Sequence, residues 1–461
     1  MKILITGATG LLGKEVGKAL IEKGHKIVVV SRDPQKAIEQ LPFPCEVIAG
    51  DLGIKNLQGE PLLREIDAVI HLMGESVGGG RWTEERKRRI YESRVLGTRH
   101  LIESLSVAPK VFISASGAGY YGSAGSDILN EESAPGDDFL AKTCVNWEKE
   151  LLPLTVGKTG TRVVRLRTGM VFATQGGALD KLFPLFRRGL GSVIAGGQQW
   201  MNWIHIQDVV GLIFHALENS SVDGAMNLVS PNPATNEHFT KALASAMGVS
   251  VGPPAPAFAI KAALGEMSVL VLASQRVIPE VALRTGYKFK HPDLQEALRD
   301  VALPLSKGEE FFYSEQYLPW TPQEIFPFFS AAKNLEKITP PILSFKILEE
   351  PKETLGTGSE IRYKISVHGL PMEWLTLIKD WEPPFKFVDT QVKGPYKLWH
   401  HTHEFKAFAG GTLMTDKVRY KLPMGFLGNF VAGGFVRGDV EKIFAYRRQY
   451  LAKNLARELG I

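Results

Sequence analysis

Residues 5–16 read ITGATGLLGKEV, with three glycines between a short apolar run and an amphipathic segment. The apolar run predicts a β-strand, and the amphipathic segment predicts an α-helix. In such a turn Gly7 permits the tight bend, Gly10 lets the backbone approach a pyrophosphate, and Gly13 lets the helix pack closely on the strand. The helix N-terminus adds N–H donors for the phosphates. The predicted phosphate-binding residues are Gly7, Thr9, Gly10, Leu11, Leu12 and Gly13.

The alternation of strand and helix continues to about residue 170. Apolar, strand-like runs such as KIVVVS (26–31) and RVVRLRTGMVF (162–172) alternate with helical patterns such as RIYESRVLGTRHLIESL (89–105). This order predicts an α/β fold with a Rossmann-type doubly wound parallel sheet. Glycine-rich loops and a Pro-rich stretch follow, and they predict a small substrate lobe at about 174–300. The sequence LPLSKG (303–308) breaks the pattern, so we place the end of the first domain at 303.

The residues after the second strand indicate which dinucleotide binds. An acidic residue there would bond a ribose 2′-hydroxyl, but the chain has Ser31 and Arg32. A hydroxyl and a guanidinium suit a 2′-phosphate, which favours NADP(H) over NAD(H). The alternative is an arginine that is simply exposed to solvent. Further residues follow the predicted third and fourth strands, where the rest of the cofactor would pass. They are Asp51 and Leu52 after the third strand, and Met73, Gly74 and Glu75 after the fourth.

Composition limits the other classes of function. A chain of 461 residues is too long for one ordinary core, so two or three domains are expected. Lysine and arginine exceed the acids by only 54 − 49 = 5 and are scattered, which argues against a nucleic-acid partner. No apolar stretch reaches the roughly 20 residues of a membrane span. Cys45 and Cys144 lie far apart in apolar segments, so we expect no disulfide framework and a cytoplasmic protein.

Longer motifs carry a family resemblance. TGATGLLG, HLMGE (71–75) and SASGAGYYG (114–122) resemble the extended short-chain dehydrogenase/reductase family. RLRTGMVF (165–172) and the run QQWMNWIHIQDVVGLIFHAL (198–217) are similar to its atypical branch, labelled sugar-nucleotide epimerase-like or cell-division-inhibitor-like. The resemblance covers about 1–300. It implies an oxidoreductase or epimerase-like enzyme acting on a small molecule, and Arg94 and Ser114 join the predicted cofactor residues.

The segment DFLAKTCVNWEKE (138–150) predicts an amphipathic helix, and it departs from the family pattern. The resemblance implies a tyrosine and, four residues later, a lysine, which transfer the proton while hydride moves to or from nicotinamide. Leu140 and Cys144 stand at those positions, and neither side chain can do this work. Ser116, at the end of the fifth strand, remains as a hydrogen-bond donor to a substrate oxygen, and Ser114 is the competing assignment.

Other residues could replace the missing acid, and each has a structural alternative. Tyr120 and Tyr121 lie just beyond the fifth strand, although a tyrosine there could also pack on the sheet edge. Lys142 could be merely exposed. Glu75 could orient the substrate or act as a general base. Our candidate catalytic residues are Ser116, Tyr121 and Glu75.

The segment WIHIQDVV (203–210) carries His205 and Asp208, which the resemblance places where the substrate lobe meets the nucleotide domain. For these two side chains we favour structural hydrogen bonds over a catalytic role.

After residue 308 aromatic and polar residues alternate, and the chain ends in a long amphipathic pattern from 440 to 460. A strand near 311, a helix beginning at Thr321 and Pro322, and further strands are predicted before that last helix. LEKITPP, GPYKLWHHTHEF and TDKVRYKLPMG resemble the START-like, polyketide-cyclase-like (SRPBCC) superfamily over about 308–455. The resemblance implies an α+β helix-grip domain at 308–461 that holds a hydrophobic or amphipathic ligand.

In KLWHHTHEF (397–405) the period of a strand places His401 and His403 on one face and His400 on the other. If the first face is inward, the two imidazoles could bind a polar ligand group. They could also ligate a metal, but the local sequence offers no third ligand, so we expect buried, hydrogen-bonded histidines and no metal.

Two functions fit these residues. The first is an NADP(H)-dependent oxidoreductase or epimerase-like enzyme that lacks the usual tyrosine and lysine. The second is a protein that senses NADPH and binds a ligand in its C-terminal domain without turnover. The sequence does not decide between them.

Overall fold

The computed structural model describes all residues except 157–159, 303, 304, 306, 307, 350–354, 368, 424 and 461, and gives no side-chain detail for 367 and 425–434. The described chain divides into two compact units. The first comprises Met1–Pro34 and Cys45–Pro304, and the second comprises Gln35–Pro44 and Leu305–Ile461. The predicted boundary at 303–308 lies largely outside the described residues.

The first unit contains one large sheet and several short strand pairs. Its strands are β1 Lys2–Thr6, β2 Lys26–Ser31, β3 Glu46–Ala49, β4 Ala68–His71, β5 Val111–Gly117, β6 Ile128–Leu129, β7 Arg162–Thr168, β8 Met170–Phe172, β9 Trp200–Met201, β10 Trp203–His205, β11 Gly224–Leu228, β12 Ala234–Thr235 and β13 Arg276–Val277. The large sheet has the order β11-β7-β5-β4-β1-β2-β3, and its strands all run parallel. This confirms the predicted Rossmann-type α/β domain.

Helices alternate with the strands up to residue 301, and the second of them lies almost wholly in the segment Gln35–Pro44, which belongs to the second unit. They are α1 Leu11–Glu22, α2 Pro34–Gln40, α3 Glu84–Ser104, α4 Phe139–Lys149, α5 Leu152–Val156, α6 Leu179–Arg187, α7 Ile206–Glu218, α8 Asn236–Ala246, α9 Ala257–Leu264, α10 Val269–Leu272, α11 Glu280–Arg284 and α12 Leu294–Val301. Leu4 of β1 packs with Leu101 of α3. Ile3 and Ile5 lie on the opposite sheet face by strand alternation, and all three strand residues are fully buried.

A separate apolar cluster lies within the region predicted as the substrate lobe. Phe172 and Trp203 stack with ring centroids 5.1 Å apart, and residues of α6, α8 and α12 pack around them. The segment RVVRLRTGMVF, predicted as one strand, is divided into β7 and β8 at Gly169. A Cβ at Gly169 would lie 2.9 Å from the Asn202 carbonyl oxygen, so the chain passes close to its neighbour there.

Besides most of α2, the second unit contains a mainly antiparallel sheet and further helices. Its elements are β14 Glu309–Leu318, α13 Pro322–Phe329, α14 Leu335–Ile338, β15 Lys346–Glu349, β16 Glu360–Val367, β17 Leu370–Glu382, β18 Lys386–Lys393, β19 Leu398–Phe408, β20 Gly411–Lys421 and α15 Gly425–Leu459. The strand order is β14-β20-β19-β18-β17-β16-β15. Thr321 caps α13, as the sequence predicted, and it also forms a capping box with Glu324.

The last helix packs on this sheet through the predicted apolar positions. Val440 and Phe444 of α15 share a cluster with Val418 and Tyr420 of β20, and the Phe312 and Phe444 rings lie 4.6 Å apart. Helix α15 begins at Gly425, earlier than the amphipathic pattern at 440 indicated. Among the described residues, no helix has the length and apolar character needed to cross a membrane.

Candidate functional site

The glycine turn between β1 and α1 has the geometry that the sequence predicts. Gly7 adopts φ +71°, and a Cβ there would lie 2.7 Å from the Leu72 carbonyl oxygen at the end of β4. A Cβ at Gly13 would lie 2.5 Å from both the Gly7 carbonyl oxygen and the Ala8 Cα atom. Side chains at either position would therefore separate α1 from the sheet.

The start of α1 is open to an anion. Gly10 is its N-cap and brings no side chain that could accept from the first-turn amides. A Cβ at Gly10 would meet only the Gly7 carbonyl oxygen, at 3.2 Å, among the described atoms. Thr9 and Gly10 are exposed, and Leu11 and Leu12 are half-buried. Helix N–H groups without a capping side chain, beside an exposed glycine, fit the pyrophosphate of a dinucleotide.

The end of β2 presents a guanidinium to solvent. The Ser31 hydroxyl donates to the Asp33 carbonyl oxygen at 2.9 Å, and the Asp33 amide donates back to that hydroxyl. This local turn leaves Arg32 exposed between them. The position suits a cation that meets a 2′-phosphate, whereas the Ser31 hydroxyl is already engaged within the turn.

Two of the predicted cofactor contacts, Asp51 and Leu52, offer different groups to a dinucleotide. The Asp51 carboxylate accepts from the Gly53 amide at 2.9 Å. Leu52 is 1% exposed, its side chain belongs to the main core, and its carbonyl oxygen is bonded to the His100 ring. Any cofactor contact at Leu52 would therefore involve the remaining backbone atoms and not the side chain.

Arg94 organises the loop after β4. Its guanidinium donates to the carbonyl oxygens of Glu75 at 2.9 Å and Ile90 at 3.0 Å, and it lies 5.2 Å from the Trp147 ring centroid. A Cβ at Gly74 would approach the Arg94 guanidinium carbon to 3.1 Å. Gly74 therefore permits the loop to lie against Arg94, which places Arg94 as a support of this loop.

The side chains of Glu75 and Met73 have partners in α3. The Glu75 carboxylate accepts from Arg86 at 3.0 Å, and the Glu75 amide donates to the Ser93 hydroxyl. The Met73 methyl group occupies the space where a Cβ at Gly97 would lie. A general-base role for Glu75 stays a prediction, and its ion pair with Arg86 favours a structural role.

Helix α4 has the predicted extent but no proton-transfer pair. Asp138 caps it by accepting from the Ala141 amide at 2.9 Å. Leu140 lies against Gly119, and burial raises the pKa of the Cys144 thiol to about 11. Lys142 is exposed. Cys144 is thus a neutral thiol at physiological pH, and neither it nor Leu140 can supply the lysine and tyrosine chemistry.

Ser116 belongs to a buried ion-pair network. Its hydroxyl donates to the Glu148 carboxylate at 2.8 Å. Arg167 donates to both Glu148 oxygens, each at 2.9 Å, so this pair is bidentate. Ser116, Glu148 and Arg167 are 6%, 8% and 4% exposed. Ser114 is fully buried and donates to the neighbouring Ala115 carbonyl oxygen, so Ser116 has the better access of the two serines.

Tyr121 extends the same network. Its hydroxyl donates to the Asn227 side chain at 2.7 Å and accepts from Arg167 at 3.1 Å. Arg167 also lies over the Tyr120 ring, 3.4 Å from its centroid. Burial raises the pKa of Tyr121 to about 12. A catalytic role for Tyr121 stays a prediction, and these contacts favour a structural one. We call Ser116, Glu148, Arg167, Tyr121 and Asn227 the closed network.

Comparisons with known proteins match this unit. The profile of the NAD dependent epimerase/dehydratase family matches residues 3–228, and a domain of unknown function, DUF1731, matches residues 255–301. A chloroplastic SDR39U1 homolog of Arabidopsis thaliana is 35% identical over 310 residues, which are 65% of this chain and 86% of the relative. The epimerase family protein ML0860 of Mycobacterium leprae is 36% identical over 299 residues, 64% of this chain and 94% of the relative. The chain belongs to the NAD-dependent epimerase/dehydratase family.

This chain is also similar to a solved structure. Human epimerase family protein SDR39U1, crystallised with NADPH, superposes with a TM-score of 0.59 at 32% identity. The match covers 66% of this chain and 99% of the human chain. Membership confirms the predicted nicotinamide cofactor at the level of the family, and the glycine turn and the open start of α1 fit that cofactor.

Sequence reasoning missed the two charged members of the closed network in this epimerase-family unit. Glu148 lies one helical turn after Cys144 on the buried face of α4. Arg167 lies among apolar residues of β7. Glu148 and Arg167 each lie in an element that is expected to be buried. Because charged side chains are rarely buried alone, their presence there could have indicated the pair.

The structural interpretation of His205 and Asp208 is confirmed. His205 is 1% exposed, and its ring pairs with Asp300 at 3.0 Å. Asp208 is fully buried and accepts from the amides of Lys290 and His291 at 2.7 and 2.9 Å. Both side chains therefore join α7 to the segment that follows α11.

In the second unit, the predicted faces of β19 are confirmed. His401 and His403 are 6% and 3% exposed, whereas His400 and Thr402 on the other face are half-buried. Asp389 of β18 lies opposite His401, and Asp416 of β20 lies opposite His403. The predicted hydrogen-bonded histidines are thus present, with partners from neighbouring strands that a search along one strand could not find.

Arg447 of α15 completes this group of charges. It lies 3.3 Å from the Asp416 carboxylate and 3.2 Å from the nearer ring nitrogen of His403. Burial lowers the pKa of His401 to about 4. Although burial opposes it, Arg447 and the histidines hold the pKa of Asp416 well below its usual range. We call Asp389, His401, His403, Asp416 and Arg447 the His–Asp cluster.

Proposed function

We propose that this protein binds NADP(H) and transfers hydride between the nicotinamide and a small-molecule substrate without the tyrosine and lysine of its wider family. The observation that carries the proposal is the start of α1, where the N-cap Gly10 has no capping side chain and leaves room for a pyrophosphate. Helix N-termini bind such anions through free N–H groups and the helix dipole. The human relative crystallised with NADPH supports the choice of cofactor.

Arg32 supports the phosphorylated form of the dinucleotide. Its guanidinium is exposed at the end of β2, beside the position where the ribose of a dinucleotide lies in this fold. A charge-assisted hydrogen bond contributes about 1.5–3 kcal/mol, which corresponds to roughly a 10-fold to 100-fold preference for NADP(H).

The proton that accompanies hydride needs another source in this chain. The hydroxyls of Ser116 and Tyr121 already donate to Glu148 and Asn227. Ser116 keeps its oxygen lone pairs, so we assign it to substrate positioning, and water supplies the proton. Bound nicotinamide would supply the hydride chemistry itself.

Native mass spectrometry of the purified full chain tests the cofactor proposal. We expect NADP(H) to remain bound, or to bind when NADPH is added. Deuterated NADPH, incubated with a small-molecule cell extract, then tests turnover. Deuterium should appear in an extract compound only when the protein is present. Absence of NADPH binding would contradict the cofactor assignment, and binding without deuterium transfer would contradict the hydride step.

A second function, NADPH sensing without turnover, is favoured by one observation. The hydroxyls of Ser116 and Tyr121, two of the three candidate catalytic residues, already donate their protons inside the closed network. In this proposal the second unit is a START-like helix-grip domain for a hydrophobic ligand. Its sheet, with α15 packed along Val418 and Tyr420, supports that architecture. NADPH should then change the affinity of the ligand by a measurable coupling free energy, and independent binding would contradict sensing.

A further inference from the structure

The His–Asp cluster has two sides. On one side, the Asp389 carboxylate lies 2.8 Å from Nε2 of His403 and 3.4 Å from Nδ1 of His401. On the other side, one oxygen of Asp416 lies 2.9 Å from Nε2 of His401 and 3.1 Å from Nδ1 of His403. Each imidazole therefore has a carboxylate at both of its nitrogens, although a neutral imidazole has only one N–H to donate.

From this arrangement we propose a binding site for a divalent transition-metal ion of the Zn²⁺ type, with Asp389, His401 and His403 as its protein ligands. Two nitrogens and one carboxylate oxygen are a usual donor set for such ions. These three donor atoms all lie within 4.8 Å of one another. Nothing in the proposed hydride transfer uses this site.

The distances suit a shared ion. Two ligands of an ion with bonds of about 2.1 Å lie roughly 3.0–3.4 Å apart in octahedral or tetrahedral geometry. The contacts of Asp389 with His403 and His401, at 2.8 and 3.4 Å, bracket this range. The two histidine nitrogens lie within 4.8 Å of each other, and one ion would hold them at about 3.0–3.4 Å.

The opposite side supplies the outer contacts that metal-bound histidines need. A ligating histidine donates its second ring N–H to a carboxylate, which fixes its tautomer and orientation. One oxygen of Asp416 lies within hydrogen-bonding distance of both rings, and Arg447 lies 3.3 Å from that oxygen. One carboxylate thus orients both histidines, while Arg447 balances its charge.

Exposure differs between the two sides and indicates where an ion would enter. The Asp389 side chain is 17% exposed, whereas those of the other four members are 7% exposed or less. The proposed ligands therefore face the more accessible side, where water can complete the coordination shell.

Without a metal, one arrangement also satisfies the hydrogen bonds. The Nε2–H groups of His401 and His403 would donate to Asp416 and Asp389, and Arg447 would donate to Nδ1 of His403. Nδ1 of His401 would then face the Asp389 carboxylate at 3.4 Å with no proton between them. A metal ion between these two atoms would replace that contact with two coordination bonds.

Metal analysis of the full chain, purified without a histidine tag, tests the proposal. We expect one equivalent of a divalent transition ion, or one equivalent of Co²⁺ bound to chelator-treated protein with the visible spectrum of a nitrogen-ligated ion. Failure of the wild-type chain to bind Zn²⁺ or Co²⁺ would overturn the metal site and leave a hydrogen-bonded cluster without an ion. NADPH titration of the same sample shows separately whether the proposed function holds.

Variants assign the ion to this cluster. Asp389→Asn removes one ligand and leaves Asp416 in place, so the affinity for Co²⁺ should fall at least 10-fold. His400→Asn changes a histidine on the opposite face of β19 and should leave the affinity unchanged. His291→Asn controls for the separate group His205, His291 and Asp300. Undiminished binding in Asp389→Asn, or a loss only in His291→Asn, would overturn the assignment.

Discussion

Two buried charged groups, one in each unit, use their polar atoms differently. In the closed network, Glu148 and Arg167 bind each other in a bidentate pair, and the hydroxyls of Ser116 and Tyr121 complete it. In the His–Asp cluster, four acceptor contacts compete for the protons of two imidazoles. In the closed network the hydrogen-bond donors and acceptors match, so the network stabilises the fold. The His–Asp cluster has more acceptors than donors, so it can bind a cation.

The largest loss of stability should follow from replacing Glu148, the acidic member of the closed network. Glu148→Gln leaves the Arg167 guanidinium buried with a neutral partner. Loss of one member of a buried ion pair costs about 3–5 kcal/mol. Urea unfolding, followed by a probe in the first unit, should show a decrease of this size. A decrease below about 1 kcal/mol would mean that the pair is solvated and that the network is not closed.

Removal of the metal ion by a chelator should have a smaller effect on stability, and only in the second unit. An ion present at about 100 times its dissociation constant stabilises the native state by about 2.7 kcal/mol. Adding EDTA to the metal-loaded chain should therefore lower the thermal transition of the second unit and leave that of the first unchanged. Calorimetry of the full chain measures both transitions, and an equal response of the two would argue against the comparison.

A third, smaller effect concerns the edge of the closed network. Tyr121→Phe removes the hydroxyl between Asn227 and Arg167, so the unfolding free energy should fall by about 1–2 kcal/mol. Because the folded-state pKa is about 12 against an ordinary 10, the stabilisation by Tyr121 is present below pH 10 and is lost as pH rises toward 12. The variant should lose stability less steeply over this window in urea titrations, and an unchanged slope would contradict the burial of Tyr121.

The smallest effect is expected at an acid only two residues from Glu148. Glu150→Gln breaks the pair with Arg99 at 2.8 Å, whose side chains are 18% and 49% exposed. Pairs open to solvent contribute less than about 1 kcal/mol. The same urea assay should therefore give a change below this value. A loss as large as that of Glu148→Gln would show that burial does not distinguish the two sites.

The sequence predicted what local periodicity and spacing determine. The glycine turn, helix α4, the capped α13 and the inward face of β19 follow from patterns within single segments, because short-range sterics and strand alternation decide them. Glu148 with Arg167, and the histidines with Asp389 and Asp416, are pairs brought together by different elements. Such pairs depend on register and packing between strands and helices, which no local pattern specifies.

The central claim, that the first unit is built for NADP(H), is tested most directly by calorimetric titration of the full chain with NADPH and with NADH. Wild-type protein should bind NADPH about 10-fold to 100-fold more tightly, because Arg32 meets the 2′-phosphate. Arg32→Ala should reduce that preference. Lys110→Ala removes a positive charge at the amino-terminal end of β5, whereas Arg32 follows the carboxyl-terminal end of β2. This control variant should keep the preference for NADPH. Equal or tighter binding of NADH by the wild-type chain, or no binding of either dinucleotide, would contradict the account.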